Sequence, residues 1–374
     1  MVAITLIYFL LYVLSMGLII FGGYFMQRKK EGQYVQKKAI EPSEISVLVP
    51  FRNEEHRING ILNCIKKLKV FPKEFVFIDD HSDDDSVQVI REALHEYKQV
   101  NYSILSLQDE DKGKKKALRY AIEKVNSTYI LTLDADVEFL PDYFEALGRL
   151  QEADMYVLPA IMRAEIFWEH FYEIDLVLVN AANVGLSGLS RPIMASGANL
   201  LYRRDVFNEV DNIDTHISSA SGDDTYLLRD FRENKKDVRL MSGLPYAVYT
   251  ETPKSFREFI DQRLRWIGKT GDLKDHLSTS LAILQSALTL VFFGVLIVFS
   301  VFQFWQVVGV VFLLKTGIDL VLFMPYFMRI GRSIAWLLIP LYELLFPIYT
   351  LVLLSLVFTY KPKWKGRAIY EKST

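Results

Sequence analysis

Residues 1–26 and 278–360 are apolar almost without a break, and between them hydrophobic residues fall into short runs and helical spacings. The first run approaches the roughly 20 apolar residues that a bilayer crossing needs. It carries no basic leader and no small-residue cleavage site, so it reads as a retained transmembrane helix. The basic flank Arg28, Lys29, Lys30, Lys37 and Lys38 opens a linker over 27–42 and places the succeeding domain on the cytoplasmic side. From 43 to 252 the pattern alternates. Ser43–Phe51 predicts a central strand, and a helix is expected from Asn53 to about Lys69, with Ile58, Ile61, Leu62, Ile65 and Leu68 inward. A strand over Phe75–Ile78, a helix to about Tyr97 and a strand over Tyr102–Leu107 come next. After them stand a helix over Lys114–Val125 and the strand Tyr129–Leu133. Such alternation predicts an α/β domain, a mostly parallel Rossmann-like sheet with helices on both faces.

Two amphipathic helices are expected beyond it. Glu165–Val184 sets Phe167, Phe171, Ile174 and Leu178 against a polar face of Glu165, Glu169 and Glu173, with His170 at the surface. Residues 253–277 read as an interfacial helix. In the apolar tail three segments emerge, about 281–302, 305–328 and 333–359, before a basic end over 361–374. Lys315 and Asp319, four apart, are expected to pair or to line a cavity. Glu343 between Pro340 and Pro347 suggests a broken or re-entrant third segment, which would return the basic end to the cytoplasm.

Composition narrows the chemistry. A formal net charge of −2 argues against a nucleic-acid-binding footprint. The single cysteine, Cys64, excludes an internal disulfide and a cysteine-based zinc site, and its helical setting reads as a buried structural thiol. Acidic residues gather where expected strands end: Asp79 and Asp80 after one, Asp134 and Asp136 after another. Side chains two apart on extended backbone point the same way, so Asp134 and Asp136 can reach one hard cation. Open α/β sheets bind ligands at this carboxyl edge. Clustered carboxylates there call for Mg²⁺ or Mn²⁺, which bind through one or two carboxylates plus substrate phosphates. The lysines of Asp111–Leu118 could face a diphosphate or simply begin a solvated helix, although cations at a helix N-terminus oppose its dipole.

The series VPFRNEE, DDHSDDDS, GKKKAL, LDADVE, ASGANLLYRR, SGDDTYLL and QRLRW resembles the family 2 glycosyltransferases of GT-A fold. More narrowly it resembles the membrane-embedded branch of cellulose, hyaluronan and poly-N-acetylglucosamine synthases and ceramide glucosyltransferases. The likeness spans about Ser43 to Lys269 and makes 43–252 the GT-A domain. It implies that Asp79 and Asp80 contact the nucleotide, with uracil the usual base, and that Lys114 lies near the diphosphate. Asp136 would bind the metal, Asp134 the ribose or the metal shell, and Asn199 the donor sugar. Asp224 would be the general base, in a Gly-Asp-Asp triplet where the family more often has Glu-Asp. Its local alternative is an acidic first turn of a helix. Gln262, Arg265 and Trp266 share one helix face; Arg265 would hold the diphosphate and Trp266 would stack on the acceptor. A membrane-surface helix with snorkelling arginines fits the same residues.

The implied protein is a multi-pass enzyme of the inner cell membrane with a cytoplasmic catalytic domain. It would transfer a sugar from a nucleotide sugar, a UDP-sugar, to a lipid or lipid-linked acceptor. A processive polysaccharide synthase is the alternative, and four apolar segments are few for a polymer channel. A non-catalytic membrane sensor of sugar nucleotides would have lost Asp134, Asp136 or Asp224. A nucleotidyltransferase would carry a glycine-rich loop after the first strand, and would have no use for QRLRW.

Overall fold

The computed structural model describes residues 2–35, 40–108, 111–210, 223–272, 276–357, 359–360, 363–364 and 367–368. The chain forms two compact units. One comprises Lys29–Arg163, Met194–Glu251 and the C-terminal residues; the other comprises Met1–Arg28, Ala164–Ile193 and Thr252–Ala368.

The first unit is built on strands β1 (Ile45–Phe51), β2 (Glu74–Asp79), β3 (Tyr102–Ser106), β4 (Tyr129–Leu133), β5 (Val137–Phe139), β6 (Met155–Val157), β7 (Ala160–Arg163), β8 (Asn199–Arg203), β9 (Val238–Leu240) and β10 (Val248–Glu251). Seven of them form one sheet in the order β3-β2-β1-β4-β8-β6-β9. The four strands from β3 to β4 are parallel, as the alternating pattern predicts. Beyond β4 the sheet turns: β8 runs antiparallel to both β4 and β6. Periodicity does not report this reversal, because β6 and β8 are brought in by long connections.

Burial explains the central strands. Every residue of β4 is buried, and β1 is buried except at Pro50. Each such Ile, Leu or Val contributes roughly 1.5–3 kcal/mol on leaving water. The β1–β4 ladder ends at Leu48, so Pro50 sits where no N–H is required. After β4 the chain makes one turn, Asp134–Asp136, and enters a second sheet, β5-β10-β7. The acidic turn thus joins the two sheets.

The expected helix from Asn53 is shorter, spanning Asn59–Lys66. The five apolar positions are inward, Ile58, Ile61, Leu62 and Ile65 nearly completely so. What displaces the helix start is competition for backbone donors. The N–H groups of Asn53, Glu54 and Glu55 go to Ser82 Oγ, Ser86 Oγ and Asp84 Oδ2 at 3.0, 2.8 and 3.0 Å, and Asn53 takes φ of 53°. Cys64 is half-buried, its Sγ accepting the Phe139 N–H at 3.4 Å, and burial pushes its thiol pKa up.

Among the described residues four helices are long and apolar enough to cross a membrane: Val2–Tyr34, Ser278–Val301, Trp305–Arg329 and Ile339–Val357. Of the tail helices the first, His276–Val301, starts before the expected 281, the second, Trp305–Arg329, keeps its expected bounds, and the third is broken. Its break falls at Leu338, and the helix continues unbroken through Pro347. Pro340 is in the first turn, where a missing N–H costs nothing. The stretch between the prolines, expected to be re-entrant, is therefore continuous helix. Most of the basic end over 361–374 lies outside the described residues, as do Lys37 and Lys38.

Glu169–Leu189 is the expected amphipathic helix, shifted towards its C-terminal side; of its expected polar face, Glu165 precedes the helix and is exposed, Glu169 is half-buried and only Glu173 is buried. Glu173 is fully buried, bonded to the Arg332 guanidinium and, at 2.8 Å, to His170 Nδ1. The surface readings of Glu173 and His170 are thereby corrected. The same helix carries Gly185 and Gly188 into backbone contact with Ile19 and Gly23 of the N-terminal helix, and a Cβ on Gly188 would lie 1.9 Å from the Gly23 carbonyl oxygen. Small residues of this kind let helix backbones meet. Gly188→Ala is expected to cost about 1–3 kcal/mol through overpacking, read as a lower Tm of the detergent-solubilised protein. Gly294→Ala, whose Cβ would meet nothing within 4 Å, should leave Tm unchanged or slightly raised.

Candidate active site

Strands β1, β2 and β4 end on one edge of the sheet and deliver most of the chemistry there. Asp79 ends β2, its Oδ1 accepting the Ser82 N–H at 2.9 Å. Asp80 is 3% exposed and receives the Gly113 N–H at 3.1 Å, with His81 Nδ1 at 3.2 Å. Gly113 adopts φ of 101°, a left-handed conformation that glycine reaches without steric cost, and this aims its N–H back at Asp80. In the same loop the carboxyl of Asp84 is held below the usual range: slight burial opposes this, but hydrogen bonds from Ser86 and the Glu55 N–H prevail.

The lysine run has specific partners. Lys114 Nζ donates to Asp134 Oδ1 at 2.6 Å and to the Gly197 carbonyl at 3.4 Å. Lys115 is buried over the Tyr226 ring at 4.6 Å, and Lys116 pairs with Asp111 at 3.0 Å. A purely solvated helix start would not bury Lys115. Asp136 is bonded to the guanidinium of Arg57, whose Nε lies 3.7 Å from Glu251 and 3.8 Å from Glu54.

Asp224 stands in the first turn of the helix Asp223–Glu233. Its Oδ2 accepts the Gly197 N–H at 3.0 Å, and its Oδ1 accepts the N–H and hydroxyl of Thr225 at 2.7 and 3.0 Å. Gly222 and the side chain of Asp223 lie outside the described residues. Asn199 does not fit its expected contact with the donor. It is fully buried on β8, where its amide donates to the carbonyls of Pro159 and Tyr246 at 2.8 and 2.9 Å and accepts the Tyr143 hydroxyl at 2.6 Å. With those bonds satisfied inside the core, it positions β8 rather than touching a sugar.

The edge therefore gathers Asp79, Asp80, Lys114, Asp134, Asp136 and Asp224 in one unit. Gln262, Arg265 and Trp266 belong to the other, on the helix Phe256–Asp272, all three half-buried. Of the two buried residues between Gln262 and Arg265, Arg263 is the charged one. It is bonded to Asp175, itself bonded to the Tyr342 hydroxyl at 2.9 Å, and lies 4.2 Å from the Trp266 ring centroid. Arg57, Arg263 and Asp175 do not stand out in the sequence as site residues. For Arg263 a signal was present: it falls four after Phe259 and beside Leu264, on the helix's apolar stripe.

Two family models cover these elements. The model of glycosyl transferase family 2 matches residues 46–211, and that of glycosyl transferase family group 2 matches 129–360, which is more than half of the chain. The chain belongs to the family 2 glycosyltransferases. Among its relatives is a teichoic acid poly(glycerol phosphate) polymerase of Staphylococcus epidermidis, 26% identical over 209 residues, 54% of this chain and 28% of that protein. Another is an undecaprenyl-phosphate 4-deoxy-4-formamido-L-arabinose transferase of Photorhabdus laumondii, 28% identical over 112 residues, covering 29% of this chain and 34% of its own. The match thus spans about a third or less of these relatives' lengths. The fold is shared with the mannosyltransferase PcManGT of Pyrobaculum calidifontis, solved with GDP-Man and Mn²⁺, at a TM-score of 0.52 and 15% identity over 91% of this chain and 99% of that one. That likeness establishes the GT-A architecture.

Proposed function

We propose that this family 2 glycosyltransferase is an integral-membrane, inverting enzyme that transfers a sugar from a nucleotide sugar, a UDP-sugar, to a lipid or lipid-linked acceptor. Its catalytic unit would face the cytoplasm. The observation that carries this reading is the convergence of Asp80, Lys114, Asp134, Asp136 and Asp224 at the carboxyl edge of the parallel strands, the place where such sheets take nucleotides.

The donor set suits a hard divalent ion, Mg²⁺ or Mn²⁺. Asp134 and Asp136 offer carboxylate oxygens, and among the described residues no three His, Cys, Asp or Glu side chains form an ion site, so substrate phosphates and water would supply the other ligands. When bound, such an ion would offset the charge growing on the leaving diphosphate. The chain's own residues supply the rest. Asp79 and Asp80 accept hydrogen bonds from the nucleoside. Lys114 turns its ammonium to the diphosphate. Asp224 takes the proton from the acceptor hydroxyl as it attacks the anomeric carbon from the face opposite the nucleotide. Arg265 and Trp266 are assigned the diphosphate and the acceptor sugar, a planar guanidinium and an indole being suited to each. The acceptor assignment is supported by the relative that is an undecaprenyl-phosphate sugar transferase.

Radiolabel transfer in native membranes from a panel of UDP-sugars, with Mn²⁺ or Mg²⁺, followed by solvent partition, tests the reading. Label in the organic phase is the expected result. Label in a high-mass fraction would make the protein a polysaccharide synthase, and no transfer from any donor would leave the sensor reading. In the same assay Asp136→Ala should remove metal-dependent donor binding; equal affinity with and without metal would refute the metal assignment.

A further inference from the structure

Arg57 stands among three carboxylates. Its guanidinium is bonded to Asp136, while its Nε lies 3.7 Å from Glu251 and 3.8 Å from Glu54. The side chains of Arg57 and Asp136 are 32% and 16% exposed, so water screens this pair only in part. The segment that presents Arg57 is tied to the loop after β2 through Asn53, Glu54 and Glu55. The return bond from the Asp83 N–H to Asn53 Oδ1 at 2.8 Å closes the connection. The side chain of Arg57 can therefore exchange partners while its backbone stays in place, and Glu54 and Glu251 are at hand to receive it.

Asp134 is in the same condition, since Lys114 Nζ bonds it at 2.6 Å. Both carboxylates of the Asp-X-Asp turn are thus neutralised by cations of the chain itself. A divalent ion arriving alone would have to break these pairs and, among the described residues, would find no third protein carboxylate close enough to help. A nucleoside diphosphate changes the balance. Its oxygens accept the displaced cations and supply the missing ligands, so each carboxylate–cation pair broken is replaced by a phosphate–cation pair.

We propose that Arg57 is a positioning residue that holds Asp136 until a nucleoside diphosphate arrives, and so makes divalent-ion binding conditional on the nucleotide. This rests on Asp136 being a metal ligand.

Mn²⁺ titrations of the full-length, detergent-solubilised protein, monitored by electron paramagnetic resonance of the free ion with and without UDP, provide the test. The wild type should bind Mn²⁺ weakly alone and about tenfold or more tightly with UDP, a coupling of ordinary size. Arg57→Gln should bind Mn²⁺ without UDP about tenfold more tightly than the wild type, and the gain from UDP should shrink by the same factor. Arg57→Lys, which keeps the charge, should preserve the wild-type dependence. A merely structural role would lower Tm in Arg57→Gln without strengthening Mn²⁺ binding, and that result overturns the proposal. Should Arg57→Gln not fold, Glu251→Gln replaces it: with one competing carboxylate gone, Arg57 holds Asp136 harder and Mn²⁺ binding without UDP weakens, an unchanged affinity being the refuting result. The two failures are separable. If Asp136→Asn abolishes UDP-dependent Mn²⁺ binding while Arg57→Gln changes nothing, the metal reading stands and the role of Arg57 falls. If Asp136→Asn leaves Mn²⁺ binding intact, the metal reading itself is wrong.

Discussion

Asp224→Asn is expected to reduce sugar transfer by about 10²–10⁴-fold, the usual contribution of a positioned general base, while leaving UDP affinity unchanged. The substitution keeps the shape of the side chain and removes its capacity to take a proton. Its structural cost should be modest but measurable. Both carboxylate oxygens accept donors, Gly197 N–H on one and Thr225 on the other. An amide must turn its NH₂ towards one of these, so a small fall in Tm should accompany the loss of activity. Isothermal titration with UDP and single-turnover transfer rates separate the two effects. A rate within tenfold of the wild type would remove Asp224 from the base role and direct attention to Asp223. Loss of UDP binding would instead mean that the carboxylate holds the site's framework together.

The second large effect is one of stability. Lys315 lies between Asp319 and Glu343, its Nζ 2.5 and 2.6 Å from their oxygens, and Asp319 also receives the Tyr12 hydroxyl. The three charged residues are between 1% and 6% exposed. They come from two of the membrane-length helices, and Tyr12 from the N-terminal one, so the cluster links three helices. Lys315→Ala would strand two carboxylates in an apolar surrounding, which for a broken buried pair costs about 3–5 kcal/mol. The expected readout is a large drop in Tm in detergent. The triple variant Lys315→Met, Asp319→Asn, Glu343→Gln removes the charges together and should recover most of that loss. If Lys315→Ala melts with the wild type, the lysine does not stabilise the bundle.

These cases show which features one sequence discloses. The spacing of Ile58, Ile61, Leu62, Ile65 and Leu68 marked a buried face correctly, because periodicity is a local property. The start of that helix is not disclosed locally, because Ser82, Asp84 and Ser86, remote in sequence, take the backbone donors of Asn53–Glu55. The separation of four leads Lys315 and Asp319 to be expected either to pair or to line a cavity, and they pair, whereas Glu343, 28 residues from Lys315, suggests from sequence only a broken or re-entrant segment. Glu173 fell on the polar side of a helical wheel, yet it is buried because Arg332 reaches it from 159 residues away. Asn199 shows the reverse error: a motif position suggested a ligand contact, and the structure gives the amide three protein partners. The acidic edge was legible because strand ends and carboxylates coincide in sequence. The cations that neutralise it were only partly so, since nothing local indicates that Arg57 turns to Asp136.

One glycine in the loop before β8 has a wider consequence. The carbonyl oxygen of Gly197 accepts from Lys114, and its N–H donates to Asp224. The residue expected to greet the leaving group and the residue expected to ready the attacking one are thus attached to opposite ends of a single residue. A displacement of the Gly197 peptide groups is therefore felt at Lys114 and Asp224 together, so the two side chains answer to one hinge of backbone.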